Sequence, residues 1–395
     1  MIHYTARILQ FVAILGCISS SIYYLICLWA SAVFLHESEK AEGLPIPGSP
    51  PISILKPLKG TDPNLYESLR SHCLQEYPEY EIIFGISDPA DRAADSVRHL
   101  QREFPRQAIR LVVCPEVFGT NVKVSNLEQM ARAARYEYLV VNDSDIKVGP
   151  DYLRKIARQL AGERVGMVTC LYRGVPEPTL GSVLESLGIS TDFCAGVLAA
   201  RQLEHGLRFG LGSTLAFRRA DLEQVGGFRS IVDFLADDYE LGRRIADLGK
   251  QVTLSEEVVE THLPAYHLGG FWSHQLRWAR GVRDARLGGY VGLASTFGLV
   301  WAILAVAACG GALWSWIVLG VVLLLRTAVA LTVGKAVLRD QGLAKHLWLL
   351  PFRDLIAVGV WLVSFAGHTV TWRGERFELK DGRLIRPENR RGLRA

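Results

Sequence analysis

Tyr138-Leu139-Val140-Val141-Asn142-Asp143-Ser144-Asp145 is a short apolar run that ends on two carboxylates one residue apart. The apolar part reads as a strand and the Asn-Asp-Ser-Asp group as the turn at its carboxyl end. Adjacent carboxylates repel each other, and a divalent cation relieves that repulsion. Hard oxygen ligands of this kind suit Mg2+ or Mn2+, which retain water and bind through one or two carboxylates together with substrate phosphates. The plainer alternative is an Asx-rich turn with no ligand. The residues around the run bear on the choice.

On either side, between residues of about 50 and 260, strand and helix signals alternate. Ile52-Ser53-Ile54-Leu55 reads as a strand closed by Pro57 and Gly60, and Asn64 to Glu76 as a helix. A strand at Tyr80–Ile86, a helix at about Asp91–Phe104 and a strand at Ile109–Val113 follow. Val122 to Arg135 carries Leu127, Met130, Ala131 and Ala134 on one helical stripe. Strands at Tyr138–Val141 and Val165–Cys170 flank a helix at about Tyr152–Leu160. This alternation predicts an α/β domain with a mainly parallel sheet covered on both faces. In such sheets ligands bind outside the carboxyl ends of strands, where Asp88, Asp143 and Asp145 all fall.

The two ends of the chain are apolar. From Ile8 to Leu35 there is no charged residue, a run longer than the roughly 20 residues that span a bilayer. It is also too long for the h-region of a cleaved signal peptide, and predicts a retained anchor. Gly289 to Val337 is interrupted only by Arg326 and Lys335, and Gly310-Gly311 predicts two helices joined by a tight turn. Leu347 to Val370, broken by Pro351, Arg353 and Asp354, either spans or lies in the interface. Gly43 to Pro51, rich in proline, reads as the linker between anchor and domain.

Forty-nine per cent of the 395 residues are hydrophobic, high for a purely soluble protein. A net charge of +4 is too small to suggest a nucleic-acid partner. The positive charge is local: Arg277, Arg280, Arg283 and Arg286 precede the second apolar block, and Arg390, Arg391 and Arg394 sit in the tail. Positive flanks favour the cytoplasmic side. The seven cysteines are scattered without a CxxC pair, which reads as small buried residues in a reducing compartment.

Four further segments carry candidate chemistry. Asp88 can accept hydrogen bonds from a uracil or ribose, or can simply cap the following helix. Gly119-Thr120-Asn121-Val122-Lys123 opens a helix whose N-terminus and lysine offer positive charge to a phosphate; a solvated lysine is the alternative. In Leu235-Ala236-Asp237-Asp238-Tyr239 one aspartate can act as a general base toward a hydroxyl, or both can compensate the helix dipole. His274-Gln275-Leu276-Arg277-Trp278 places a cation and an indole beside a membrane, as site residues or as interfacial anchors.

Taken in order, these segments resemble the ceramide glucosyltransferase-like enzymes of glycosyltransferase family 21, relatives of family 2, including the hopanoid biosynthesis-associated branch. The resemblance runs from the N-terminal anchor to Trp372-Arg373-Gly374. It implies that Asp88 contacts the nucleoside, that Lys123 lies in the family's G-x-N-x-K-x-x-N segment, and that Asp143 and Asp145 form the DxD-like motif, Asp145 being the direct metal ligand. It also implies that Asp238 is the catalytic base and that Arg277 and Trp278 complete (Q/R)xxRW. The first position of that last motif is His274, with Gln275 one place late.

The implied architecture is an N-terminal transmembrane anchor and linker (1–42), a GT-A catalytic domain (43–288), C-terminal transmembrane or interfacial helices (289–370) and a basic tail (371–395). The implied enzyme is a multi-pass membrane protein, of the bacterial inner membrane, with a cytoplasmic catalytic domain. It uses a UDP-sugar and Mg2+ or Mn2+, and inverts the anomeric carbon. Its acceptor is a lipid, ceramide receiving glucose first and a hopanoid polyol receiving N-acetylglucosamine second. A processive polysaccharide synthase would need more spanning helices, and a non-catalytic membrane protein gives no reason for Asp88, Asp145, Asp238 and Arg277 to occur together.

Overall fold

In the computed structural model, which describes residues 2–41, 48–372 and 374–387, the chain divides into two compact units. One is α/β and comprises Lys40–Glu177, Glu204–Ala265 and Thr369–Ala395; the other is apolar and comprises Met1–Glu39, Pro178–Leu203 and Tyr266–His368. Residues 43–47 of the proline-rich linker, Arg373 and the tail arginines Arg390, Arg391 and Arg394 lie outside the described residues.

The α/β unit is built on an eight-stranded sheet. Its strands are β1 (Ile52–Pro57), β2 (Tyr80–Ile86), β3 (Ala108–Val113), β4 (Tyr138–Val141), β5 (Ile146–Lys147), β6 (Val165–Val175), β7 (Leu215–Arg218) and β8 (Gln251–His262). Their order is β3-β2-β1-β4-β7-β6-β8-β5. The pairs β1–β2, β1–β4, β2–β3 and β6–β8 are parallel, and the pairs made by β7 and β5 are antiparallel, so the sheet is mainly parallel as expected. Every residue of β1 and β2 is buried, the pattern of strands covered on both faces. The expected helices cover them at Leu65–Cys73, Ala93–Glu103, Val122–Ala133 and Tyr152–Leu160. Each buries its apolar stripe, such as Val124, Leu127, Met130 and Ala131 in the third.

The β4 strand lies centrally, between β1 and β7, and this places the Asn142–Asp145 turn at the middle of the sheet's carboxyl edge. Three strands not read from the sequence, β5, β7 and β8, complete with β6 the half of the sheet beyond that turn. A separate three-stranded antiparallel sheet follows near the C-terminus: β9 (Thr369–Trp372), β10 (Glu375–Lys380) and β11 (Arg383–Ile385). It closes its own small core of Val370, Phe377, Leu379 and Leu384.

Among the described residues, the apolar unit holds four helices long and apolar enough to cross a membrane: Ala6–Ala41, Leu180–Leu203, Leu313–Val337 and Leu343–Ser364. A bent pair, Leu287–Thr296 and Gly298–Ala308, brings the number to five if it is a single span. The turn foreseen at Gly310-Gly311 is present, with φ of 62° and 74°, values glycine adopts without strain. Two polar groupings inside this unit are paired, as charges within a membrane would have to be. Arg326 binds Asp354 at 2.7 Å and the Thr191 carbonyl at 2.8 Å. Gln275 donates to Glu185 at 2.8 Å and accepts from Arg353 at 2.9 Å.

Candidate active site

The turn after β4 is held from below. Lys56, at the end of β1, is fully buried and donates from Nζ to the carbonyls of Asp143 (2.9 Å) and Ile146 (3.3 Å). Burial lowers this ammonium to about 7, with the carboxylates of Asp145 and Asp143 acting against the shift. Asn142 turns inward, donating to the Ser213 carbonyl (2.6 Å) and to Tyr152 Oη (2.9 Å). Ser144 donates to Asp62 at 2.5 Å. With the intervening residues anchored inward, the carboxylates of Asp143 and Asp145 are left at the sheet edge.

Lys123, in the first turn of the Val122–Ala133 helix, reaches the same place. Its Nζ lies 2.7 Å from Asp143 Oδ1 and 3.0 Å from Asp237 Oδ2. Burial alone would lower this ammonium, but the charges of Asp143, Asp237 and Asp238 raise it well above the ordinary lysine range. The helix start is fixed by Asn121, whose side chain accepts from Val124 N at 3.2 Å and donates to the Phe234 carbonyl at 2.8 Å. Removing Lys123 would leave Asp237 buried without its cation and Asp143, whose side chain is 40% exposed, without its ion pair.

Asp238 stands on the other side of Gly212. Its Oδ2 accepts from Gly212 N at 2.7 Å and its Oδ1 from Tyr239 N at 2.8 Å. Burial, and then the charge of Asp237, push its carboxyl up to about 6, against the pull of Lys123. A Cβ on Gly212 would sit 2.7 Å from Asp143 Oδ2 and 3.3 Å from Asp238 Oδ2, so only glycine leaves both carboxylates in place. Gly212→Ala is therefore expected to lower turnover by about 10- to 100-fold, given the sensitivity of catalysis to small misplacements. Its melting temperature should stay near wild type, and the ratio of activity to folded protein measures the effect.

Asp145 accepts from Thr261 Oγ1 at 2.5 Å, and burial together with the charge of Asp143 pushes its carboxyl up to about 6. Among the described residues no group of three or more His, Cys, Asp or Glu side chains is placed to hold a metal ion. The donor set nevertheless fits a divalent cation of the Mg2+ or Mn2+ kind, for which two carboxylates suffice when phosphate and water complete the shell. The raised Asp145 carboxyl is the matching observation: its charge is costly where it stands until a cation compensates it.

Asp88 is exposed at the end of β2, where its Oδ1 accepts from Ala90 N at 2.9 Å in a local turn. Its neighbour Asp91 ties two loops together, accepting from Gly60 N at 3.0 Å and from Ala93 N at 2.9 Å. Arg277 and Trp278 belong to the apolar unit, on the helix Leu268–Ala285. There Trp278 packs edge-on to Phe193 at 5.8 Å, and His274, the departure from (Q/R)xxRW, stacks on Tyr266 and lies 3.2 Å from Glu185.

Lys56, Gly212 and Thr261 were not read from the sequence as site residues. Gly212 and Thr261 come from segments beyond the last strand recognised there, and neither sits in a motif that would single it out. Lys56 follows an apolar strand and shows its burial only once β1 and β4 are paired.

Comparison with known proteins adds the family. The chain is 26% identical over 391 residues to ceramide glucosyltransferase 1 of Caenorhabditis elegans, covering 95% of this chain and 81% of that protein. It is 27% identical over 273 residues to ceramide glucosyltransferase 3 of the same organism, covering 68% of this chain and 58% of the relative. Among solved structures, a mannosyltransferase from Pyrobaculum calidifontis in complex with GDP-Man and Mn2+ superposes with a TM-score of 0.49 at 18% identity, covering 90% of this chain and 99% of that one. The family model Glycosyl transferase family 21 matches residues 12–385, nearly the whole chain, and the protein belongs to that family.

Proposed function

We propose that this glycosyltransferase moves glucose from UDP-glucose to a hydroxyl of ceramide, with inversion, at a membrane surface. The observation that carries the proposal is the placement of Asp238 across Gly212 from Asp143. A candidate base and a candidate cation-binding carboxylate that flank one glycine support the reading. The ceramide glucosyltransferases among its relatives supply the choice of sugar and lipid.

In this reading Asp238 accepts the proton of the acceptor hydroxyl as that oxygen attacks the anomeric carbon. Gly212 N and Tyr239 N orient the carboxylate, and the burial that raises it makes it a better base than an exposed aspartate. Asp143 and Asp145 would hold a divalent cation, which when bound supplies positive charge to the departing diphosphate. Lys123 adds a fixed positive charge beside them. Asp88 is assigned to the nucleoside, and Arg277 and Trp278 to the reaction, on sequence resemblance. The apolar helices hold the protein in the bilayer where its acceptor resides, and the arginines Arg277 to Arg286 favour a cytoplasmic catalytic unit.

Because Asp238 works only as the carboxylate, turnover is expected to be level above about pH 7, to be halved near pH 6 and to approach a tenfold fall per unit below that. Saturating cation keeps Asp145 ionised, so a limb that persists at high Mn2+ belongs to Asp238. A profile flat down to about pH 4.5 would remove a raised aspartate as the base. Donor and acceptor are tested together. Purified membranes given radiolabelled UDP-glucose or UDP-N-acetylglucosamine, with ceramide or a hopanoid polyol, should yield glucosylceramide. Nothing in the site favours the hopanoid alternative, which is an arm of the same assay; a polymer would point to a processive synthase.

A further inference from the structure

The sheet β9–β11 is small and remote from the chain's motifs, yet it is bonded to the segment that leads into Asp237 and Asp238. Leu235 N donates to the Gly382 carbonyl at 3.0 Å, and Leu384 N donates to the Asp233 carbonyl at 2.7 Å, so β11 pairs with Asp233–Leu235 as an added strand would. The Leu235 side chain packs against the core of Val370, Phe377, Leu379 and Leu384. Phe234 is clasped between two guanidinium groups, Arg383 at 5.1 Å and Arg244 at 5.7 Å from its ring centre. Gly382, with φ of 77°, passes within 3.3 Å of that ring where a side chain would stand.

The same segment also holds the Lys123 helix. Asp233 Oδ1 accepts from Thr120 N at 2.9 Å and from Thr120 Oγ1 at 3.0 Å. Asn121 N donates to the Val232 carbonyl at 2.8 Å. Residues 232–235 therefore form a strap with β11 on one side and the start of the Lys123 helix on the other, and the Asp237-Asp238 helix begins at its end.

We propose that the C-terminal sheet is a positioning element of the active site, acting through Phe234, Leu235 and Arg383 to set where Asp238 and Lys123 stand. This rests on the reading of Asp238 as the base. The sheet touches no reacting atom; its effect passes through the backbone of the strap. A strap released from β11 lets the base helix start shift, and a misplacement of about 1 Å can lower turnover by about 100-fold.

The test uses the full-length enzyme in detergent, with Phe234→Ala, Leu235→Ala and Arg383→Ala, and the conservative Phe234→Tyr and Arg383→Lys. Turnover is expressed per folded molecule, from the amplitude of the thermal transition. The alanine variants are expected to lower kcat about 10- to 100-fold while donor KM moves less than about threefold, and the conservative variants to recover to within about threefold. A merely structural role would lower the folded fraction and leave kcat per folded molecule at the wild-type value; that result overturns the proposal. Asp238→Asn is measured alongside. Activity surviving in that variant defeats the assignment of the base, whereas an inactive Asp238→Asn beside fully active alanine variants defeats the positioning role alone.

Discussion

Asp238→Asn is expected to lower turnover by about 1,000-fold or more while leaving donor binding within about threefold of wild type. The substitution keeps the shape of the side chain. The amide oxygen can accept from only one of Gly212 N and Tyr239 N, so the other backbone N–H loses its acceptor, at a cost of about 1 kcal/mol. What disappears is the group that receives the acceptor's proton. Asparagine also removes one of the two adjacent charges beside Lys123, which relieves repulsion rather than adding it. The two terms oppose each other, so the fold should survive, and a melting temperature near wild type checks this. Turnover within tenfold of wild type would show that another group takes the proton.

The second large effect is at the turn after β4. Asp145→Ala is expected to lower turnover by about 100-fold or more, and excess chelator should stop the wild-type enzyme, with Mn2+ or Mg2+ restoring it. Alanine leaves Thr261 Oγ1 without its acceptor, at a cost of about 1 kcal/mol, but also removes a buried carboxylate whose charge is held at a penalty. The two terms oppose each other, so the fold should survive. Asp143→Ala is expected to do more harm to stability, because it leaves Lys123 with Asp237 alone. Undiminished turnover in excess chelator would contradict the assignment of Asp143 and Asp145 to a cation.

Much of the α/β unit was legible because its strands are short, apolar and separated by helices with clear stripes. Tyr80–Ile86, Tyr138–Val141 and Tyr152–Leu160 appear at the residues read from the sequence. The later half of the sheet was harder. The β8 strand alternates buried and half-buried positions through Glu256, Glu257 and Glu260, so its apolar signal is weak. Those glutamates are paired with Arg158, Lys155 and Arg173, contacts visible only in three dimensions.

The Leu180–Leu203 helix was missed for a related reason. It carries Glu185, Ser190, Thr191 and Asp192, which lower its apparent hydropathy. Yet Glu185 and Thr191 are satisfied by Gln275 and Arg326 within the apolar unit. Likewise the chain beyond Val370 reads as a charged tail, because its small core is spread one residue at a time over three short strands.

For the site, the order of the acidic motifs named the candidates, and the structure supplies their partners. Lys123 offered a choice between phosphate ligand and solvated lysine; the structure pairs its ammonium with Asp143 and Asp237 rather than leaving it solvated. The pair Asp237-Asp238 offered two candidates for one role. The structure separates them, giving Asp237 to Lys123 and Asn121, and Asp238 to Gly212 N.

The measurement that bears most directly on the central claim is the anomeric configuration of the glycolipid formed from UDP-glucose and ceramide, read by proton NMR for wild type and Asp238→Asn. A single displacement assisted by Asp238 predicts a β-linked glucoside from the wild-type enzyme and essentially none from the variant. An α-linked product, or a β-glucoside formed by Asp238→Asn at the wild-type rate, would contradict it.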